Sequence, residues 1–222
     1  MRSFNLLYWI LWKDILSEIR NRAALVSMLF FALNIILIFS VSFSMSDLEE
    51  MMPGLIWTAF GFTAVIGLST SFVAETHNQC LEYYRLLPTP KGMIYLGKLC
   101  GNLLFIVIVG LALLPLFVLF LGLHVRQLSW LIAVVFLGAL GLANLGTLFS
   151  ALTVNLRARE VLFPLLLLPL SVPVFIGATE ATAGILRGAP QAAYRHWLDL
   201  LGIFDLIFTL LSFWMFEWIL DE

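Results

Sequence analysis

Long apolar runs separated by short polar intervals occupy most of the 222 residues of this chain. Six of these runs come close to the roughly 20 residues that an α-helix needs to cross the hydrocarbon core of a bilayer. The pattern therefore predicts an all-α membrane protein with a single domain, residues 1–222. The predicted spans are at about 23–44, 54–74, 99–123, 130–154, 161–178 and 200–219.

Residues 3–22 have a different pattern, which predicts an amphipathic helix lying in the headgroup plane. Aromatic and aliphatic side chains recur along one stripe, while polar side chains, Glu18 among them, recur along another. Opposed faces of this kind are typical of interfacial helices, and Glu18 can pair with Arg22 four residues later. A solvated helix on a soluble partner is the alternative, although Trp9 and Trp12 favour the membrane interface.

The fifth predicted span is irregular because it contains Pro164, Pro169 and Pro173. Proline lacks the backbone N–H, and its ring clashes with the preceding turn of a helix. We therefore expect a kinked or broken helix over 161–178. Residues 179–199 are a candidate for a segment that turns back into the membrane, where neighbouring protein or water would have to satisfy the backbone.

The distribution of lysine and arginine predicts the orientation of the spans. Nine of the twelve basic residues fall on one side of the predicted topology, and Arg126, Arg187 and Arg195 fall on the other. Since cytoplasmic loops carry an excess of basic residues, both termini are expected in the cytoplasm. The loop 45–53, which has three acidic residues and no basic one, is expected outside.

Composition agrees with a membrane protein and gives no indication of a nucleic-acid partner. The chain is 62% hydrophobic and 12% charged, with a mean hydropathy of +1.02. A soluble domain usually contains about 25% charged residues. The net charge is −2, and no basic patch with interleaved aromatic residues is present in the sequence.

The polar interval 75–98, between the second and third predicted spans, is the predicted functional surface. Glu75 and Glu82 are seven residues apart and so share one face of a helix, which Pro88 and Pro90 would stop. Two interpretations remain: a cytoplasmic docking helix for a separate ATPase subunit, or an ordinary cytoplasmic loop. On the first interpretation, the coupling residues are Glu75, Leu81, Glu82, Tyr83, Leu86 and Leu87.

The sequence predicts a chain without an ATP site or a catalytic site of its own. Gly92-x-x-x-x-Gly97-Lys98 resembles a phosphate-binding loop, but Leu99 replaces the Ser or Thr that would hold magnesium, and no strand precedes it. Ser69 lies in a predicted span that offers no histidine as its base. We therefore expect a non-catalytic subunit.

Cysteines and histidines are weaker candidates for binding. Cys80 and Cys100 are too few for a metal cluster, so no metal site is expected. His124 and His196 fall on the predicted outer side and are candidates for a haem or metal role. Lone interfacial histidines are more often simply solvated, so no cofactor is assigned to the chain.

Acidic residues at membrane depth are more informative, because burying them there is costly. Glu180 and Asp205 are expected near the outer face, where they would line a cavity or cap the re-entrant turn. Glu160 can pair with Arg157 and Arg159 at the inner end of the fifth span. The alternative for all three acids is an interfacial position solvated by headgroup water.

Small residues recur every four positions in the second and fourth spans. They let helix backbones approach closely. Two interpretations follow: tight packing within one bundle, or helices that slide or rock against each other. The rows are Ala59, Thr63, Gly67 and Ser71, and Ala139, Ala143, Gly146, Thr147, Ser150 and Ala151.

The polar interval and the later spans together resemble a known family. Cys80-Leu81-Glu82, Leu87-x-x-Pro90 and Leu96-Gly97-Lys98 resemble the equivalent interval of ABC-2 class permeases, although that class usually has Gly where this chain has Cys80. Over almost its whole length, the chain is similar to the haem exporter B family of the cytochrome c maturation system. Further motifs that carry the likeness are Lys13-Asp14, Asn155-x-Arg157-Ala-Arg159-Glu160, Pro164-Leu-Leu, Val172-Pro173-Val, Glu180-Ala-Thr182 and Phe204-Asp205.

The resemblance implies an ABC-2 type permease in the bacterial inner membrane. Its implied partners are a cytoplasmic ATPase subunit that binds ATP, a second copy of the chain, a haem-handling membrane subunit, a small single-span subunit and a periplasmic haem chaperone. The implied activity couples ATP hydrolysis to export of haem as cargo, or to release of the haem-loaded chaperone. An ABC-2 permease for a polysaccharide, lipid or drug, or a scaffold that transports nothing, remains open.

Overall fold

The structure is a computed structural model of the chain. It describes Trp12 and the residue ranges 22–43, 45–70, 91–121, 127–153, 156 and 158–219. All secondary structure in these residues is helical, which confirms the all-α class. The six helices among them are α1 (Arg22–Ser42), α2 (Met45–Thr70), α3 (Lys91–Leu121), α4 (Leu128–Thr153), α5 (Arg159–Leu186) and α6 (Gln191–Ile219).

Five of these helices, α2 to α6, contain stretches long and apolar enough to cross a membrane. The chain is thus a membrane protein. α1 contributes a shorter apolar stretch, Val26–Ser42, so the sixth span remains a prediction. The predicted interfacial helix at 3–22 lies outside the described residues, apart from Trp12, which is helical and exposed, and Arg22, which begins α1.

Three helices begin about two turns before the predicted spans. α2 starts at Met45, α3 at Lys91 and α6 at Gln191. The prediction that residues 45–53 form a loop is wrong, because they form the first turns of α2 and Pro53 lies inside the helix; their position outside the membrane stays a prediction. An apolar window locates the hydrocarbon core, whereas a helix can continue into polar surroundings, and acidic residues near its N-terminus are favoured by the helix dipole.

The prediction of a broken fifth span and a re-entrant segment is also wrong. α5 runs without interruption from Arg159 to Leu186, with all three prolines inside it. Each proline removes one helix hydrogen bond, and the surrounding bundle keeps the remaining turns helical. Residues 191–199 are the start of α6 rather than a re-entrant loop.

A glycine turn ends α5 and reverses the chain. Gly188 has a φ of 69°, a left-handed conformation that glycine adopts without strain. The Ala189 amide donates to the Gly184 carbonyl at 3.0 Å, and the Gly188 amide donates to the Ile185 carbonyl at 3.1 Å. This pair of bonds is a Schellman motif, and it places α6 antiparallel to α5.

α4 is the central helix of the bundle. It packs against α2, α3, α5 and α6, and the six small residues predicted to form its row are all buried. In α2, Ala59 and Thr63 are fully buried, and a Cβ at Gly67 would collide with Met28 of α1. The small residues therefore bring helices of one chain together, which supports the packing interpretation.

The Trp57 side chain connects α2 to two neighbouring helices, α4 and α5. Its indole Nε1 donates to the Thr182 hydroxyl of α5 at 2.9 Å, and that hydroxyl donates to the Ala178 carbonyl at 2.7 Å. The indole ring itself occupies the space beside Gly138 of α4. One buried side chain thus spans three helices.

Replacing Gly138 with alanine should destabilise the bundle, because the new methyl group would collide with the Trp57 ring. Overpacking of this kind typically costs about 1–3 kcal/mol. The control is Gly202→Ala on α6, where a Cβ would meet nothing within 4 Å. Thermal unfolding in detergent should show a lower midpoint for the first variant only, and equal midpoints would contradict this packing.

Candidate functional site

Several helix ends meet at one end of the bundle, which we call the basal end. The Arg159 guanidinium, in the first turn of α5, donates to the Ser69 carbonyl in the last turn of α2. Two backbone hydrogen bonds connect the end of α4 to the start of α5. The Leu156 amide donates to the Thr153 carbonyl at 3.0 Å, and the Arg159 amide donates to the Leu156 carbonyl at 3.3 Å. A cation at the C-terminus of a helix is favoured by the helix dipole. Arg159 therefore links α2 to α5 a few residues before position 75, where the predicted coupling region begins.

A cluster of polar side chains lies inside the bundle, where α3, α4 and α6 meet. The Tyr95 hydroxyl donates to Asn144 Oδ1 at 2.6 Å, and both residues are fully buried. The Thr209 hydroxyl lies 3.1 Å from the same Oδ1 atom and 2.7 Å from the Asp205 carbonyl. Because a hydroxyl has one proton, Thr209 donates to one of these acceptors at a time.

Asn102 and Thr147 extend this polar cluster along α3 and α4. The Asn102 side-chain amide donates to the Thr147 hydroxyl at 2.8 Å, and both are buried. Lys98, one turn before Asn102 on α3, is only 2% exposed. We define the polar cluster as Tyr95, Asn102, Asn144, Thr147, Asp205 and Thr209.

Asp205 is the unusual member of the polar cluster. It is 3% exposed, and neither of its carboxyl oxygens has a hydrogen-bond partner. A Cβ added to Gly141 of α4 would lie 3.0 Å from Asp205 Oδ1 and 2.9 Å from Val174 Cγ2 of α5. The absence of a side chain at Gly141 thus makes room for the carboxyl group at the contact between α4 and α6.

The polar cluster joins α3, α4 and α6 through side-chain hydrogen bonds. Hydrogen bonds between membrane helices typically contribute about 0.6–2 kcal/mol each, so a few of them can be exchanged as helices shift. The buried hydroxyls of Ser150 and Ser212 have no hydrogen-bond partner, and within the described ranges no group of three or more His, Cys, Asp or Glu residues is placed to hold a metal ion.

Comparison with known proteins places this arrangement in a family. Residues 5–217 match the family model described as CcmB protein. The chain belongs to the CcmB family. It is 33% identical to Heme exporter protein B of Pseudomonas aeruginosa over 162 residues, 73% of each chain. It is 30% identical to Heme exporter protein B of Escherichia coli K12 over 195 residues, 85% of this chain and 87% of the relative. The predicted resemblance is thereby confirmed.

All six predicted coupling residues of this CcmB-family chain, together with three other candidates, lie outside the described residues. Arg22 is the first residue of α1, and its side chain is not among those described. The candidates that lie outside the described residues are Glu75, Leu81, Glu82, Tyr83, Leu86, Leu87, Glu18, Arg157 and His124.

The structure corrects the predicted positions of two acids. Asp205 lies at the midpoint of α6 and is buried in the bundle, so it does not cap the turn between α5 and α6. Glu180 is an exposed residue within continuous α5 rather than the end of a broken helix. The two acids do not form one site, because one faces into the CcmB bundle and the other faces out.

Two further predicted residues are placed by the structure. Glu160 is exposed in the first turn of α5, while the guanidinium of Arg159 contacts α2. No ion pair joins Arg159 to Glu160 in the part of the chain that the structure describes. His196 is exposed near the start of α6, with its ring 4.7 Å from that of Trp197.

Sequence reasoning missed most of the polar cluster in this CcmB-family chain. Asn102 and Asn144 are amides inside apolar runs, where an unpaired polar group would be costly, and this signal was available in the sequence. Tyr95 and Thr209 gave no comparable signal. Their importance depends on which helices pack together, which one sequence does not show.

Proposed function

We propose that this chain is the membrane permease subunit of a haem exporter, driven by ATP hydrolysis in a separate cytoplasmic subunit. The observation that carries this proposal is the similarity to relatives named Heme exporter protein B, over up to 87% of their length. The bundle of apolar helices supports a permease role. The hydrogen bonds of the buried polar cluster join three of these helices, and exchange of those bonds would let the helices change their contacts.

One structural observation supports the proposal that ATP binds to a partner subunit. The phosphate-loop-like stretch from Gly92 to Lys98 lies inside α3, so most of its backbone amides are used by helix hydrogen bonds. Nucleotide-driven force would instead enter through the coupling region at 75–90. Arg159 supports this route, because it connects the helix that precedes the region to α5.

The remaining parts of the proposal concern the complex. The permease would pair with a second copy of itself, a haem-handling membrane subunit and a small single-span subunit, in the inner membrane with both termini in the cytoplasm. Its export step would supply haem to a periplasmic haem chaperone, or release the loaded chaperone, for cytochrome c maturation. No nucleic acid takes part, and the permease itself catalyses no reaction.

A complementation experiment tests this function. In a strain lacking the gene, the wild-type chain should restore covalent haem on c-type cytochromes while leaving b-type cytochromes unchanged. Glu82→Lys should insert normally yet restore less than about a tenth, because losing the charged contact that the docked ATPase would bury would cost about 2–5 kcal/mol, and about 1.4 kcal/mol is tenfold.

The control is Glu50→Lys, a charge reversal at an exposed acid in the first turns of α2, away from the basal end. It should restore haem attachment fully. If the deletion strain attaches haem to c-type cytochromes without the chain, the cargo is not haem for this pathway. If Glu82→Lys works as well as wild type, the ATPase does not dock at the predicted region.

A further inference from the structure

α1 presents a regular face on the outside of the bundle. Its exposed residues recur at alternating intervals of three and four positions: Ser27, Phe30, Asn34, Leu37 and Val41. This spacing is that of a heptad seam, along which two helices pair in a left-handed coiled coil. We call these five residues the α1 seam. Phe30 is 66% exposed and Val41 is 86% exposed, so the seam is open to whatever surrounds the bundle.

The opposite face of α1 holds the helix in its own bundle. Met28, Ala32 and Ile36 follow one another at intervals of four residues, and all three are buried. Through this side α1 packs against α2 and α3. The fold of a single chain therefore uses one face of α1 and leaves the α1 seam unused.

The contacts of α1 with α2 place Asn34 at the depth of the hydrocarbon core. Only two residues separate the end of α1 from the start of α2, so these helices run antiparallel. The Phe31 ring is 6.1 Å from the Phe62 ring of α2, and Asn34 lies three residues further along α1. It is therefore level with the middle of Glu50–Ser69, a stretch of α2 that is long and apolar enough to cross a membrane.

Asn34 is the unusual member of the α1 seam, because it is an exposed amide on an apolar helix. Its Nδ2 donates to the Phe30 carbonyl at 2.8 Å. An amide side chain has two N–H donors and a carbonyl acceptor, so one N–H and Oδ1 remain. Neither takes part in a further hydrogen bond with the part of the chain that the structure describes. Lipid chains offer no hydrogen bond, so leaving both groups unpaired there is costly.

A second copy of the chain would satisfy both groups. Two copies cross the membrane in the same orientation, so a two-fold axis that relates them runs along the membrane normal. Equivalent residues then lie at equal depth, and residues beside the axis meet their own equivalents. The remaining N–H of each Asn34 would donate to Oδ1 of the other, which pairs both amides.

We propose that two copies of the chain pair through the α1 seam, with Asn34 hydrogen-bonded to its equivalent in mid-membrane. The inference deepens the proposed function, on which it rests for the presence of a second copy, by naming the surface that this copy binds. One polar residue in a heptad seam also fixes the register of the two helices. Lipid acyl chains would cover the apolar members of the seam equally well but would leave the amide unpaired.

Cysteine crosslinking of the full-length chain, reconstituted at low density in lipid vesicles, tests the α1 seam. Leu37→Cys should form a disulfide-linked dimer with copper phenanthroline, faster than the native cysteines of the wild type do. Adding Asn34→Leu should slow this crosslinking about tenfold, because hydrogen bonds between the helices are lost; tenfold corresponds to about 1.4 kcal/mol. Adding Asn34→Gln, which keeps an amide, should slow it less.

Ile207→Cys is the matched control. Ile207 is 53% exposed and lies close to the midpoint of α6, so its cysteine faces outwards near mid-membrane but away from the α1 seam. It should crosslink no faster than wild type. Asn34→Leu should reach the membrane at the wild-type level, because the Asn34 hydrogen bond stays within α1.

Three results would overturn the proposal. The first is a Leu37→Cys chain that crosslinks no faster than Ile207→Cys, and the second is a crosslinking rate that Asn34→Leu leaves unchanged. The third is a crosslink from Leu37→Cys to a different subunit, instead of a second copy, in the complex purified from cells.

The outcome is separable from that of the proposed function. If cells need the chain for haem attachment but Leu37→Cys does not crosslink, the α1 seam is not the pairing surface and the function stands. If the seam crosslinks as expected but deleting the chain leaves haem attachment intact, the proposed function fails and the pairing stands.

Discussion

Replacing Arg159 with alanine should lower haem attachment to c-type cytochromes about tenfold or more, because a hydrogen bond from a charged group contributes about 1.5–3 kcal/mol and about 1.4 kcal/mol changes an equilibrium tenfold. The guanidinium holds the last turn of α2 against the first turn of α5. Without it, movement of the coupling region would shift the first turn of α5 less effectively. Covalent haem per unit of inserted permease is the measurement.

Matched variants separate this positioning role from a general loss of structure. Arg187→Ala removes an exposed arginine at the other end of α5 and should not lower the level of inserted protein. Arg159→Lys keeps the charge but loses the planar group with several donors, so it should fall between wild type and alanine. The ATPase activity of the purified complex should persist in Arg159→Ala, uncoupled from haem attachment. Normal haem attachment in Arg159→Ala would show that α2 and α5 are not coupled through this contact.

Lysine at position 205 should prevent the bundle from folding, whereas asparagine should be tolerated. Asp205 is buried at the middle of α6 and its carboxyl oxygens have no partner. A charge at the centre of a membrane helix costs about 2.5–3.5 kcal/mol on insertion scales, so the carboxyl group should be protonated at neutral pH. Asparagine has nearly the shape of that neutral acid, while lysine adds length and a charge.

Protein level and thermal unfolding measure the effect on folding. Glu217→Lys, which changes an exposed acid on the same helix, should accumulate like wild type, and Asp205→Lys should not. Infrared spectroscopy measures the protonation state directly: Asp205→Asn should remove one protonated carboxylic-acid C=O band from the spectrum at pH 7. A spectrum in which no such band disappears would mean that the buried carboxylate is ionised.

Some helices could be predicted accurately because apolar length alone defines them. α1 and α4 begin and end within two residues of the predicted spans, since polar or small residues flank both sharply. The starts of α2, α3 and α6 were placed too late, because polar residues in their first two turns lower the local hydropathy, and a hydropathy pattern cannot distinguish such a helical turn from a loop. For α2, the cluster of acids from Asp47 to Glu50 is also a favourable helix start.

The continuity of α5 required tertiary information. Its three prolines predict a break, and only the packing of α5 against α2, α4 and α6 shows that the helix persists. Gly188 followed by Pro190 was an available signal for the end of this helix. It indicates a stop near residue 186 rather than at 178.

The candidate site was predicted only in part. Asp205 was identified because an acidic residue is costly inside a membrane. Its burial within the bundle, however, depends on which face of α6 packs against Gly141 of α4. Tyr95 and Asn144 are 49 residues apart in the sequence, so their hydrogen bond follows from helix arrangement rather than from local pattern. The predicted coupling residues from Glu75 to Leu87 lie outside the described residues and remain a prediction.

Haem transfer by the purified complex tests the central claim most directly. The chain and its ATP-hydrolysing partner would be reconstituted in vesicles with haem on the ATPase side and a haem-capturing apoprotein on the other. The account predicts that the apoprotein gains haem only when ATP and both subunits are present, and that Glu82→Lys abolishes this gain. Haem transfer at the same rate without ATP, or without the partner, would contradict it.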